Sequence, residues 1–170
     1  MKQRLHPISF FIVMLLSSPV FADYPKAPAF ELATRHGQIK LSELHGKLVY
    51  VDFWASWCRP CKNSFPWMIA MKNKFRDMPF EIIAINLDKN KALADEFIAS
   101  QQINFPVAFD PDANIAEQYG VEGMPSSFLI DPDGYLRIQY TGFWNKSSNE
   151  KEHNIHHLLK KFMARPAAAH

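Results

Sequence analysis

Val51-Asp52-Phe53-Trp54-Ala55-Ser56-Trp57-Cys58-Arg59-Pro60-Cys61 is the stretch on which the reading of this 170-residue chain turns. It overlaps a run, Leu48 to Trp54, that is nearly all apolar and β-branched or aromatic, the signature of a strand buried on both faces. From about Arg59 to Phe75 the residues Phe65, Met68, Ile69 and Phe75 are spaced for one apolar helix face, with Pro66 inside as the source of a kink. Cys58 and Cys61 therefore stand where a strand passes into a helix, and a C-x-x-C at such a junction is the redox dithiol pattern. They are the chain's two cysteines, too few for a disulfide scaffold or a four-cysteine metal site.

The placement suits the chemistry. A thiolate, not a thiol, attacks a disulfide. Cys58 at a helix N-terminus faces unpaired backbone N–H groups and the positive end of the dipole, both of which favour the anion. Arg59 adds a positive charge beside it. Pro60 fits the first helical turn, where no N–H is needed, and restricts the geometry between the two sulfurs. Cys61, one turn further in, is expected to be more buried, less acidic and able to resolve a mixed disulfide.

Other uses of the pair are weaker. As a structural staple a four-residue ring contributes only about 2 kcal/mol, against ~3 for a 15-residue loop. Zinc needs two more ligands, and the nearest candidates, His153, His156 and His157, are some 90 residues away. Covalent haem attachment needs a His directly after the second cysteine, where Lys62 stands. No metal and no cofactor beyond the Cys58–Cys61 disulfide itself is expected. His153 and His157, four apart on a helix, read as a solvated polar face.

Outward from the dithiol the chain alternates strands and helices. Phe80 to Asn86 is a second strong strand, Ala92 to Gln101 a helix, Phe105 to Phe109 a short strand and Ile115 to Tyr119 a brief helix ended by Gly120. Ser127 to Ile130 and Leu136 to Tyr140 flank the turn sequence Asp131-Pro132-Asp133-Gly134 and predict a hairpin. A last helix is expected to open at the capping box Ser147-x-x-Glu150, with Ile155, Leu158, Leu159, Phe162 and Met163 on one face. Met68, Met71, Met78 and Met163 read as core filler. Phe143-Trp144 either caps the core or presents an aromatic patch. The sum is an α/β fold, a central mixed sheet with helices on both sides.

The first 22 residues read as an address. Lys2 and Arg4 are followed by nine mostly apolar residues, Ile8 to Leu16, and by Ser17-Ser18-Pro19-Val20-Phe21-Ala22, with small residues at the last and third-last positions. This is the pattern of a secretory signal peptide cut after Ala22, and the run is half the ~20 residues a membrane span needs. The expectation is one domain, residues 23–170, in an oxidising extracytoplasmic space, the periplasm if the source is bacterial. Beyond the leader, 17 basic residues balance 17 acidic ones, so no basic excess recommends nucleic acid as a partner. With 48% hydrophobic and 14% aromatic residues, wholesale disorder is excluded.

From about Ala27 to Lys160 the sequence resembles the thioredoxin superfamily, and within it the secreted TlpA/ResA-like thiol–disulfide oxidoreductases. The likeness rests on Ala27-Pro28-x-Phe30-x-Leu32, Leu41-Ser42-x-Leu44-x-Gly46-Lys47, the stretch from Val51 to Lys62, and Gly123-Met124-Pro125-Ser126-Ser127-Phe128-Leu129-Ile130-Asp131. Residues 87–111 resemble the helix and strand that this branch inserts into the thioredoxin core. The resemblance implies a cis Met124–Pro125 peptide facing the dithiol, with Trp57, Met124 and Pro125 as the apolar lip of a shallow groove that docks substrate peptides. It also implies protein disulfides as substrates, the reductase direction, and electrons from a membrane thiol transporter.

Asp52 falls where thioredoxins carry a buried Asp. Buried, it would have a raised pKa and could accept the Cys61 proton. Alternation does not decide between that and a solvated sheet edge, because both faces of the strand look apolar. The Lys that accompanies this Asp in thioredoxins corresponds to Ala84 here. Ser64 stands where ResA-like reductants of cytochrome c maturation place a Glu, so a proton path through Asp52 is expected instead. Two rival functions remain. One is a dithiol oxidase or isomerase, towards which Arg59 leans by stabilising the reduced form. The other is a non-enzymatic module binding Cu(I) through the thiolates, for which the extra Met or His near the dithiol is missing. A peroxidase of the peroxiredoxin kind would carry Thr where this chain has Ala55.

Overall fold

The computed structural model describes residues 24–143 and 145–165; the expected leader and Trp144 lie outside them. In chain order the elements are β1 (Glu31–Thr34), β2 (Gly37–Lys40), a 3-10 turn (Leu41–Leu44), β3 (Leu48–Trp54), α1 (Arg59–Lys74) and β4 (Phe80–Asn86). Then come α2 (Lys91–Ala99), β5 (Val107–Phe109), α3 (Asn114–Gln118), β6 (Ser126–Ile130), β7 (Leu136–Thr141) and α4 (Asn145–Met163). The strands form one mixed sheet in the order β2-β1-β5-β4-β3-β6-β7. β3, β4 and β5 run parallel; β6 is antiparallel to β3 and β7 to β6.

The wholly apolar look of β3 follows from its place: it lies between β4 and β6, and every one of its residues is buried. Alternate side chains feed two cores. Leu48, Tyr50 and Trp54 pack with Cys61, Phe65 and Met68 of α1, Ile98 of α2 and Ile155, Leu158 and Leu159 of α4. Val49, Val51 and Phe53 pack on the other face with Phe30, Ile39, Ala116 and Tyr119. The sheet with helices on both sides is thus the architecture expected. Residues 87–111 hold α2 and β5, which extends the parallel run from β4 and pairs with β1 at Thr34↔Ala108.

Three local readings need correction. The β1–β2 hairpin was not foreseen, because among its strand residues only Ile39 is buried and the apolar signal is correspondingly weak. Its Thr34-to-Gly37 turn is closed by His36 N–H donating to Thr34 Oγ1 at 3.1 Å, with Gly37 at φ +132°. α4 begins at Asn145, so Ser147 falls within the first turn rather than at the N-cap, and Glu150 lies beyond that turn; Ser147 is buried there. Met163, in the last turn of α4, is 56% exposed rather than core, because its neighbour Phe162 takes the position against the core.

Candidate functional site

α1 starts at the dithiol. Cys58 is its N-cap residue, in extended conformation, and Pro60 occupies the first turn as expected. The backbone N–H of Cys61 donates to Cys58 Sγ at 3.3 Å, satisfying one of the donors that a helix start leaves free. The same N–H and the helix dipole favour a thiolate at Cys58 when the pair is reduced. Cys58 and Cys61 are joined in a disulfide, the oxidised state of the pair. Both sulfur residues are buried, Cys61 completely, whereas Arg59 and Pro60 are exposed.

The residues before Cys58 are held by a clamp that sequence reading missed. Asp88, just beyond β4, accepts from Ser56 N–H and Ser56 Oγ, each at 2.9 Å, and from Asn86 Nδ2 at 2.7 Å. Leu87 N–H adds a bond to Trp54 O at 2.9 Å. Together these fix the path from β3 into α1. Trp57, at the tip of this path, is 71% exposed, an apolar ring held out into solvent.

The Met124–Pro125 peptide is cis. Phe53 pairs with Ser126, so Pro125 sits just beyond the strand end from which the dithiol loop emerges. Pro125 is buried and Met124 half-buried against the core that holds the two cysteines. Of the three expected lip residues, Trp57 alone stands free in the oxidised protein. Pro125 O accepts from Gly142 N–H at 2.7 Å.

Asp52 is not at a solvated edge: it lies in the middle of β3 and is fully buried. Alternation puts it on the face of Tyr50 and Trp54, the face that α1 covers. Among the described residues neither carboxylate oxygen has a hydrogen-bond partner. Burial pushes its pKa from 3.8 up to about 7, opposed by the positive charge of Lys151. Its β4 neighbour is Ala84. Ser64 is buried, and its hydroxyl donates to Cys61 O at 2.7 Å, leaving no carboxylate at that position.

Lys151 is the second residue that sequence reading missed. It is 1% exposed, and its Nζ lies 3.2–3.3 Å from Ser127 Oγ, Tyr50 Oη and Gly142 O. The rings of Tyr140 and Phe143 face it, each with its centroid at 5.1 Å. Phe143 is half-buried and also meets Trp67, so it closes the core here. A signal was available: Lys151 falls on the apolar stripe of α4, at the spacing i, i+4, i+7, i+8 with Ile155, Leu158 and Leu159.

Among the described residues no three His, Cys, Asp or Glu side chains gather as a metal site. His153 and His157 stack on the exposed side of α4, with ring centroids 6.5 Å apart. Among the same residues no helix is long and apolar enough to cross a membrane.

Residues 25–139 match the AhpC/TSA family. The chain is 38% identical over 122 residues to the thiol-disulfide oxidoreductase ResA of Bacillus subtilis, covering 71% of this chain and 68% of that one. It is 34% identical over 165 residues to ResA of Bacillus thuringiensis, covering 88% and 95% respectively. A crystal structure from Chlorobium tepidum, assigned as the thiol:disulfide interchange protein DsbE, superposes with a TM-score of 0.79 at 44% identity, covering 80% of this chain and 96% of the other.

Proposed function

This chain belongs to the AhpC/TSA family and is a thiol–disulfide oxidoreductase, and we propose that it works as a reductase of protein disulfides outside the cytoplasm. The observation that carries the reading is the dithiol itself: Cys58 caps α1 and takes a backbone N–H on its sulfur, while Cys61 lies wholly buried behind it. In the reduced protein the Cys58 thiolate attacks a substrate disulfide. One substrate sulfur leaves as a thiolate, and a mixed disulfide joins Cys58 to the other. Cys61 gives its proton to Asp52 and attacks Cys58 Sγ, releasing the second substrate thiol and leaving the Cys58–Cys61 disulfide. Two electrons pass from the dithiol to the substrate, so the cysteines are the sole redox group the reaction needs. Arg59 supports the thiolate and Pro60 sets the first turn. Trp57, Met124 and Pro125 receive the substrate backbone at the strand end beside the dithiol.

The leader pattern ending at Ala22 supports an extracytoplasmic, periplasmic location, where a membrane thiol transporter would return the electrons. Ser64 in place of a Glu supports a general rather than a cytochrome-specific substrate range.

Two measurements test this reading. Cys58→Ser should abolish reduction of insulin disulfides, whereas Cys61→Ser should accumulate mixed disulfides visible on non-reducing gels; trapping by the opposite variant reverses the roles. Equilibration with glutathione and dithiothreitol buffers gives the direction. A potential near that of thioredoxin, about −270 mV, supports the reductase, and one near −120 mV makes the protein a disulfide donor.

A further inference from the structure

Lys151 and Asp52, 99 positions apart in sequence, lie on one face of the sheet, joined through the neighbours of Asp52. A buried ammonium needs acceptors for three protons, and Lys151 finds three: Tyr50 Oη, Ser127 Oγ and Gly142 O. Both hydroxyls belong to immediate neighbours of Asp52. Tyr50 is two residues before it on the same face of β3, and Ser127 is its register partner on β6. The two hydroxyls are themselves bonded at 2.8 Å. The third acceptor links the lysine to the segment whose N–H bonds Pro125 O.

We propose that Lys151 is a positioning residue for disulfide exchange: from α4 it holds a positive charge beside Asp52, bonded to Tyr50 and Ser127, so that Asp52 accepts the Cys61 proton. The inference rests on the reading of Asp52 as that acceptor. It assigns to the C-terminal helix a charge that β4, with Ala84 opposite Asp52, does not supply. The other ionisable groups around this cluster are Tyr50 on β3, Cys61 on α1, Tyr140 on β7 and Glu150 on α4. The sign is set by position. Burial favours the protonated acid and the lysine opposes it, so loss of the lysine charge pushes Asp52 further up.

The test separates the two thiol steps by single-turnover reaction of the reduced full-length protein with an aromatic disulfide reporter between about pH 5 and 9. The first release of reporter thiol reads attack by Cys58, and the second reads displacement by Cys61. In Lys151→Met the pH midpoint of the second release should rise by about one pH unit, making that step roughly tenfold slower on the acid side, with the first release unchanged. Lys151→Gln keeps a donor for the hydroxyls without the charge; it should behave the same and serves if the Met variant does not fold. Asp52→Asn should remove that midpoint. If Asp52→Asn removes it and both lysine variants keep the wild-type midpoint, Lys151 is only structural, and the proposal falls while the role of Asp52 stands. If Asp52→Asn leaves the midpoint in place, both fall.

Discussion

The ends of the sheet and its centre treat a buried carboxylate in opposite ways. Beyond the end of β4, Asp88 accepts three hydrogen bonds from Ser56 and Asn86. Beyond β5, Asp110 accepts from the backbone N–H groups of Asn114, Ile115 and Ala116 at the start of α3. After β6, Asp131 accepts from Asp133 N–H and Tyr135 N–H and pairs with Arg137. In the middle of β3, Asp52 accepts from none of the described residues. The difference has a plain cause. Loops and helix starts leave backbone N–H groups free, whereas in a central strand those donors are already spent on the sheet ladder. A carboxylate placed there stays unsatisfied, which makes Asp52 the one whose presence calls for a functional reason.

Stability against pH is where the contrast should be largest. Between about pH 4 and pH 7 the folded protein keeps a proton on Asp52 that the unfolded chain has released. Its contribution is therefore fully present below the ordinary carboxylate pKa and is lost as pH rises through about 7, on the order of 4 kcal/mol across that window. Urea unfolding at pH 5 and pH 8 should show this fall in the wild type and a flatter dependence in Asp52→Asn. Equal slopes in the two proteins would remove the distinction between centre and ends.

Next in size is Asp110→Ala, which strips three N–H groups of their acceptor. It should cost about 3 kcal/mol at neutral pH, read from the same urea midpoints, and leave the dithiol potential in place. The smallest effect is expected from Ser56→Ala, which deletes the hydroxyl bond to Asp88 but keeps the backbone one. A loss of about 1 kcal/mol, with little change in insulin reduction, would confine the clamp to holding the loop. A large loss of activity would instead give Asp88 a part in the exchange.

How far the site could be read in advance depends on how local its signals are. Cys58, Arg59, Pro60 and Cys61 sit in consecutive positions, and the strand before them and the helix after them each announce themselves by periodicity. Asp52 stood out as a polar residue in an apolar strand, yet alternation could not say whether it was buried. That answer depends on β4 and β6 flanking β3 on both sides. Ser56 and Asp88 are 32 positions apart, and neither lies in a motif. Lys151 was legible in principle as a lysine on the apolar stripe of Ile155, Leu158 and Leu159, but the stripe does not name the Tyr50 and Ser127 hydroxyls it reaches. The β1–β2 hairpin went unread because an exposed edge needs few apolar residues.

Sequence alone determined the order of the main strands and helices, the redox pair and its place at a helix start, because each is written in neighbouring residues obeying a short period or a four-residue spacing. Tertiary structure alone decided that Asp52 has no hydrogen-bond donor among the described residues, that Lys151 is its counter-charge and that Asp88 holds the loop before Cys58. Those facts depend on strand register and on how α4 settles against the sheet, and side chains brought together across 99 positions leave no periodic trace in the chain.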